Sequence, residues 1–238
     1  MWGNAMNAQV NSRLLGTTRF DSGALGLLAM VLHPFRAPGT YRAAISQKGH
    51  AAATVSFVVD EKSEQMQLDI DLAQTIQTAK ARPGDCACAP EKLAPAVVSP
   101  KGYVLFHASS GDGYSVAVSD QGGKVVFDST KLGDGDLFAL SLMEPAVYSM
   151  ANTLGSGGGE IHVSLPTQNV KIKALETRYV DVTQKGFEPA RVEITSTQGL
   201  VFRVKSPARI VIEKKSAAQE EGGKPAVRWR KLPVSKKG

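Results

Sequence analysis

Apolar and polar residues alternate along most of this chain. The stretch QMQLDIDL at 65–72 puts every second side chain on one apolar face, as do Val180 with Val182, Val192 with Ile194, and Ile210 with Ile212. A repeat of two is the period of a strand that packs on one side and meets water on the other. Turn signals separate these runs at Pro38-Gly39, at Gln47-Lys48-Gly49-His50, at Asp120-Gln121-Gly122-Gly123 and in the glycine cluster at 155–159. The pattern predicts strands at 39–45, 53–59, 65–72, 103–107, 114–119, 124–127, 147–152 and 160–165, more strands between 170 and 214, and a short helix at 73–81. Short strands with turns at such spacing predict an all-β protein of Greek-key β-sandwich modules.

One stretch is said twice. Residues 20–41, FDSGALGLLAMVLHPFRAPGTY, are echoed at 127–148, FDSTKLGDGDLFALSLMEPAVY. Laid together without a gap, Phe20 meets Phe127, Asp21 meets Asp128, Ser22 meets Ser129, Leu25 meets Leu132, Gly26 meets Gly133, Pro38 meets Pro145 and Tyr41 meets Tyr148. Seven identities at one constant spacing predict a duplicated module. Tyr41 and Tyr148 are then expected to be core aromatics whose hydroxyls reach a loop backbone, because a packing residue recurs in both copies while a single catalytic constellation has no reason to. The apolar run at 24–32 has the composition of a signal-peptide centre, but its counterpart carries Asp134 and Asp136 deep in the chain, so a core strand or strand-turn is expected.

These features divide the chain into a first sandwich module at 1–80, a Pro-rich linker with a Cys pair at 81–101, a second module at 102–168, a third β segment at 169–213 and a basic flexible tail at 214–238. The leading strand YVLFH at 103–107 has no counterpart ahead of the first copy, so the first module reads as N-terminally incomplete. Its sheet is expected to have an open edge, closed in cis by 65–72 or used for assembly.

The net charge of +6 changes this picture less than its location does. From Lys214 onward eight cations face only Glu220 and Glu221, an excess equal to the whole net charge, so the body is near neutral. A basic tail on a neutral body suits contact with anionic surfaces and argues against sequence-specific nucleic-acid binding. No run approaches the ~20 apolar residues of a membrane-spanning helix.

Gly186-Phe187-Glu188-Pro189, Val192, Ile194 and Gly199-Leu200-Val201-Phe202 resemble the opening half of a cupredoxin-type domain, and the Pro38-Gly39-Thr40-Tyr41 hairpin resembles the closing half of that or of an immunoglobulin-like sandwich. The resemblance implies a type 1 copper site of two imidazoles and a thiolate. The strand that would carry the thiolate reads Tyr41-Arg42-Ala43-Ala44-Ile45 in one copy and Tyr148-Ser149-Met150-Ala151-Asn152 in the other, with no cysteine, so the copper ligands of the family are missing there. The remaining candidate metal ligands are Cys86, Cys88 and His50. Two thiolates suit copper(I) or zinc but do not close a site by themselves. The acidic turns at 111–113 and 133–136 offer oxygen ligands without an EF-hand register, and tight-turn chemistry is the simpler account. There is no Gly-x-Ser-x-Gly elbow and no phosphate loop, and His33, His50, His107 and His162 are scattered, so no catalytic residue is named.

The expectation is a non-enzymatic protein of tandem immunoglobulin-like or cupredoxin-like sandwiches, located in the periplasm or outside the cell. It would work without a cofactor, binding a protein partner or itself through open sheet edges. The alternative is a copper-handling or electron-transfer accessory built on Cys86, Cys88 and His50. A sugar-binding module is poorly supplied, since the only tryptophans are Trp2 and Trp229.

Overall fold

The computed structural model describes residues 16–81, 96–166 and 176–215, and these form 17 strands in three sheets with one short helix. The first half supplies β1 (Arg19–Asp21), β2 (Ala29–His33), β3 (Gly39–Gln47), β4 (His50–Val59), β5 (Gln67–Asp71), the helix α1 (Leu72–Lys80), β6 (Ala96–Val98), β7 (Tyr103–His107) and β8 (Tyr114–Ser119). The second half supplies β9 (Val125–Asp128), β10 (Leu137–Ser141), β11 (Val147–Asn152), β12 (Gly158–Ser164), β13 (Arg178–Thr183), β14 (Gly186–Glu188), β15 (Arg191–Thr195), β16 (Gly199–Val204) and β17 (Ile210–Lys214).

Local sequence accounts for the elements. In β3, Tyr41, Ala43 and Ile45 are buried while Thr40, Arg42 and Ala44 face water. The β3–β4 turn holds Lys48 at φ 51° and Gly49 at φ 81°, the two positive values of a type I′ hairpin, whose twist matches that of the strands it joins. Asp71 caps α1 by accepting from the N–H groups of Ala73 at 3.0 Å and Gln74 at 3.2 Å, which satisfies donors the first turn leaves unpaired. The helix buries Leu72, Ala73 and Ile76.

The first sheet has the order β1-β17-β11-β12-β15, the central sheet β14-β13-β16-β10-β2-β7-β5, and the third β6-β4-β3-β8-β9. The layout repeats itself. Exchanging β1 with β9, β2 with β10, β3 with β11, β4 with β12, β5 with β13, β6 with β15, β7 with β16 and β8 with β17 turns the first sheet into the third and maps the central sheet onto itself, leaving only β14 without a counterpart. The parallel pairs obey the same exchange, β4–β6 with β12–β15 and β5–β7 with β13–β16. So do the lone bridges, Leu25 to Tyr114 and Leu132 to Ala208. The two halves meet where β2 pairs antiparallel with β10.

The halves also interlock. Each half lends its first strand to the other's outer sheet, β1 to β17 and β9 to the third sheet beside β8. Ser22 and Ser129, both fully buried, make equivalent joints there. Ser22 N–H donates to Ile210 O and Ser22 Oγ accepts from Ile210 N–H, while Ser129 does the same with Val116.

The strands therefore do not sort into sheets by the modules expected from sequence. β7 and β8, assigned to 102–168, pair with β2 and β3, and the strands of 169–213 complete the first and central sheets. The edge beside β2, expected to be closed in cis by 65–72 or left open for assembly, holds β7, and β5 from within 65–72 joins the same sheet beyond β7. A period of two tells a strand its faces, not its neighbours. Residues 82–95 of the linker and 216–238 of the tail, with Trp2, lie outside the described residues.

Both outer sheets pack on one side of the central sheet. The cross-strand row Ile70, Phe106, Val31, Phe138, Phe202, Val180 runs over six adjacent strands and is buried throughout. Phe106 stacks on Phe127 of the third sheet at 5.5 Å between ring centres. Burial of each such side chain contributes about 1.5–3 kcal/mol. Tyr41 and Tyr148 are core residues as expected, donating to Ala37 O at 2.7 Å and to Glu144 O at 3.0 Å.

Candidate functional site

The expected metal ligands are not gathered by the described structure. Cys86 and Cys88 lie outside the described residues, and His50 stands exposed at the start of β4 opposite Gln47. Among the described residues no group of three or more His, Cys, Asp or Glu side chains is placed to hold a metal ion. The acidic turns are occupied otherwise: Asp112 pairs with Lys48 at 3.2 Å, and Asp136 is buried against His33.

His33 and Asp136 form the one histidine–carboxylate pair with a buried acid among the described residues, with Nδ1 and Oδ1 2.5 Å apart. Catalytic dyads share that geometry, but the rest of this imidazole meets Phe35 and Phe127 at ring separations of 4.3 and 4.9 Å. Asp136 Oδ2 accepts from Gly133 N–H at 2.6 Å. With both carboxylate oxygens used, the pair pins the β9–β10 connection to the end of β2. A groove of about 410 Å³ between α1, β4 and β5 has a mixed lining of apolar and polar side chains, of which Thr75 Oγ1 donates to Asp71 O and Thr78 Oγ1 to Gln74 O.

The sheet edges were the expected contact surfaces, and most are blunted by charge. Arg19 on β1 pairs with Asp21 and Glu213, Arg191 and Glu193 sit on β15, and Asp69 faces water on β5. Charges on edge strands discourage edge-to-edge pairing. The third sheet has uncharged side chains on both of its edges, with Val125 55% and Val126 36% exposed on β9 and the short Ala96–Val98 as β6.

The outer face of the central sheet is different. Cross-strand partners share a face, so the register writes its surface directly. One row reads Asp69, Leu105, Leu32, Leu137, Arg203, Asp181, and the next reads Asp71, His107, Met30, Ala139, Val201, Tyr179. All of these are partly or fully exposed, on the side away from the buried row. A sheet with one face in water normally alternates apolar inside and polar outside. Here Leu105, Leu32, Leu137, Met30, Ala139 and Val201 make the middle of the outer face apolar, interrupted by His107 on β7 and bounded by Asp69 and Asp71 on β5, Arg203 on β16 and Asp181 on β13.

Electrostatics order the flank next to Tyr179. Asp181 accepts from Arg203 Nε and Lys205 Nζ, each at 2.6 Å; the Lys205 bond does most to hold its carboxyl below the ordinary aspartate value, burial pushes the other way, and Arg203 adds to the lowering. Arg203 also lies 5.3 Å over the Tyr179 ring, and Tyr179 is 54% exposed. On the opposite flank Arg36 lies 5.4 Å over the Tyr103 ring.

None of the face residues stood out in the sequence as a site. The signal was present in the strand cores AMVLH, YVLFH, LFALS and GLVFRV, which are nearly continuous apolar runs where β5 reads QLDID. Such runs belong to strands covered on both faces, and the described structure covers one. Comparison with known proteins adds no relative: no family model, no curated protein and no solved structure matches the chain.

Proposed function

We propose that this is a non-catalytic β-sandwich protein that works by binding or assembly, with the outer face of the central sheet as its contact surface. The observation that carries the proposal is the pair of cross-strand rows, in which Leu105, Leu32 and Leu137 stand next to Met30, Ala139 and Val201 on partly exposed positions. A contiguous apolar patch rimmed by polar side chains marks an interaction surface rather than a random scatter of exposed apolar residues. It is an open sheet face built on hydrogen-bonded strands, which suits a protein surface better than a small molecule. The same proposal places the protein in the periplasm or outside the cell, where many sandwich domains serve as binding units. It also reads the chain as a duplicated unit whose copies exchange first strands, on the support of the repeated pairing order and the Ser22 and Ser129 joints.

The test is a photo-reactive amino acid placed at Leu137, with a control at exposed Lys124 in the β8–β9 turn, in cells that express the protein naturally. A discrete adduct at the first position and none at the second is expected. Absence of any adduct at the first position, with the protein present and folded, removes the face as a contact surface.

A further inference from the structure

We infer that the occupant of this face is a second copy of the same chain, stacked face to face about a two-fold axis that runs along the strands through Leu32. The inference rests on reading the face as the contact surface, and it is drawn from the order of side chains across the strands. Leu32 is the midpoint of a palindrome: Leu105 lies one strand to one side and Leu137 one strand to the other, then Asp69 and Arg203 two strands out. With strands about 4.8 Å apart, each charge sits roughly 10 Å from the axis. A two-fold axis along the strands carries each side onto the other. Leu32 then meets Leu32 of the second copy, Leu105 meets its Leu137, and Asp69 meets its Arg203.

An isologous contact requires this self-complementarity, in which a residue meets its opposite number and the reverse contact forms at once. The neighbouring row fits the same axis through Met30, with the His107 ring against the small Ala139 of the other copy. Asp71 lies outside that fit, but its carboxylate is already spent on the α1 cap and on Ser109 N–H at 3.3 Å. Arg203 gives Asp181 only its Nε proton, so its terminal nitrogens can serve a second carboxylate. Asp69 Oδ1 takes one hydrogen bond from Gln67 at 2.8 Å, and a carboxylate has room for more. Two such sheets would pack about 10 Å apart in the aligned manner of sandwiches. The leucines supply the affinity and the flanking charges fix orientation and register.

The experiment is sedimentation equilibrium of the full chain across a concentration series, with Leu137→Glu, Leu32→Lys, Asp69→Arg, Arg203→Glu, the double Asp69→Arg/Arg203→Glu variant, and a chain ending at Lys215. A concentration-dependent dimer is expected, abolished by either leucine substitution while the variant still unfolds cooperatively, its thermal midpoint no longer rising with concentration. Each single charge reversal should raise the dimer Kd by roughly fivefold to tenfold, and the double reversal should return it toward the original. Should a leucine variant fail to fold, the charge exchange at these exposed positions carries the test alone. Three results overturn the inference: a monomer at every concentration, a dimer indifferent to the leucine and charge changes, or an association lost on truncation after Lys215, which would make the basic tail the occupant. A monomer whose Leu137 photo-adduct contains a different protein refutes self-association and leaves the contact surface standing; a monomer with no adduct refutes both.

Discussion

Arg209 holds Asp21 at two points, donating from Nε to Oδ1 and from Nη2 to Oδ2, both at 3.0 Å. The pair ties the end of β1 to the start of β17, almost the whole chain apart. Burial alone would push the Asp21 carboxyl up, but Arg209, the Gly23 N–H and Arg19 together hold it below the ordinary aspartate value of 3.8. A carboxyl lowered on folding stabilises the fold above its unfolded pKa, and that contribution is lost as pH falls through the folded value. Asp21→Asn is therefore expected to cost stability at pH 7, with the gap to wild type closing as pH drops below 3.8. Urea unfolding at a series of pH values checks this, and a gap independent of pH would count against the ion pair.

Arg209→Met removes the two-point partner of Asp21, which is 5% exposed, and leaves it the longer ion pair with Arg19 at 3.3 Å. A loss of about 1.5–3 kcal/mol is expected, the range for hydrogen bonds to charged groups. Gly23→Ala should disturb the same joint, because a Cβ there would stand 2.7 Å from Arg209 Nε and 3.1 Å from Thr130 Cα. If the two changes together cost no more than the larger alone in a double-mutant cycle, both act through this one contact.

Much of the strand inventory was legible because burial follows the period of two: Tyr41, Ala43 and Ile45 in β3, or Leu68 and Ile70 in β5, announce their faces locally. The self-similar stretches at 20–41 and 127–148 were visible for the same reason, and in them Phe20 and Phe127, like Ser22 and Ser129, are buried. Pairing was not. Nothing near Phe20 says that its neighbour is Ile212, and YVLFH lacked a visible counterpart because the strand in the matching place of the pairing order, GLVFRV, differs from it in sequence. The apolar outer face of the central sheet was hidden by the very runs that compose it, which read as interior strands.

Ser22→Ala and Ser129→Ala should behave as a matched pair. Each leaves a buried backbone N–H, of Ile210 or of Val116, without its side-chain acceptor. A cost of about 1–3 kcal/mol is expected for each, and calorimetric midpoints should fall by similar amounts. A large loss from one and none from the other would break the equivalence of the two joints.

Gly102 leads into β7 under the backbone of the β5 approach, and a Cβ there would lie 2.3 Å from Met66 O. That atom is main chain and cannot swing aside. Gly102→Ala should pry β5 from β7, with faster amide exchange at 67–71 and little change in β10 or β16. Uniform loss of protection across all three sheets would show that the β5 edge is not a separate unit.

The interlocked layout makes a last prediction about the chain as a whole. The turn at 120–124 joins β8 to β9, and Asp120 closes it by accepting from Gly123 and Lys124. A cut there separates the halves without breaking a sheet, yet each half then lacks one strand of its outer sheet, because β1 belongs beside β17 and β9 beside β8. The N-terminal half alone would also expose the β2 edge that β10 covers, and the C-terminal half the edge of β10. An uncovered edge with an apolar face does not stay monomeric in water. Fragments 1–121 and 122–238, co-expressed, should therefore assemble one to one and melt cooperatively as a unit, while neither alone gives a folded monomer. Far-UV circular dichroism and sedimentation of the fragments, separate and mixed, decide the matter. Two independently folded monomers that ignore each other would mean that the exchanged strands β1 and β9 are not what holds the halves together.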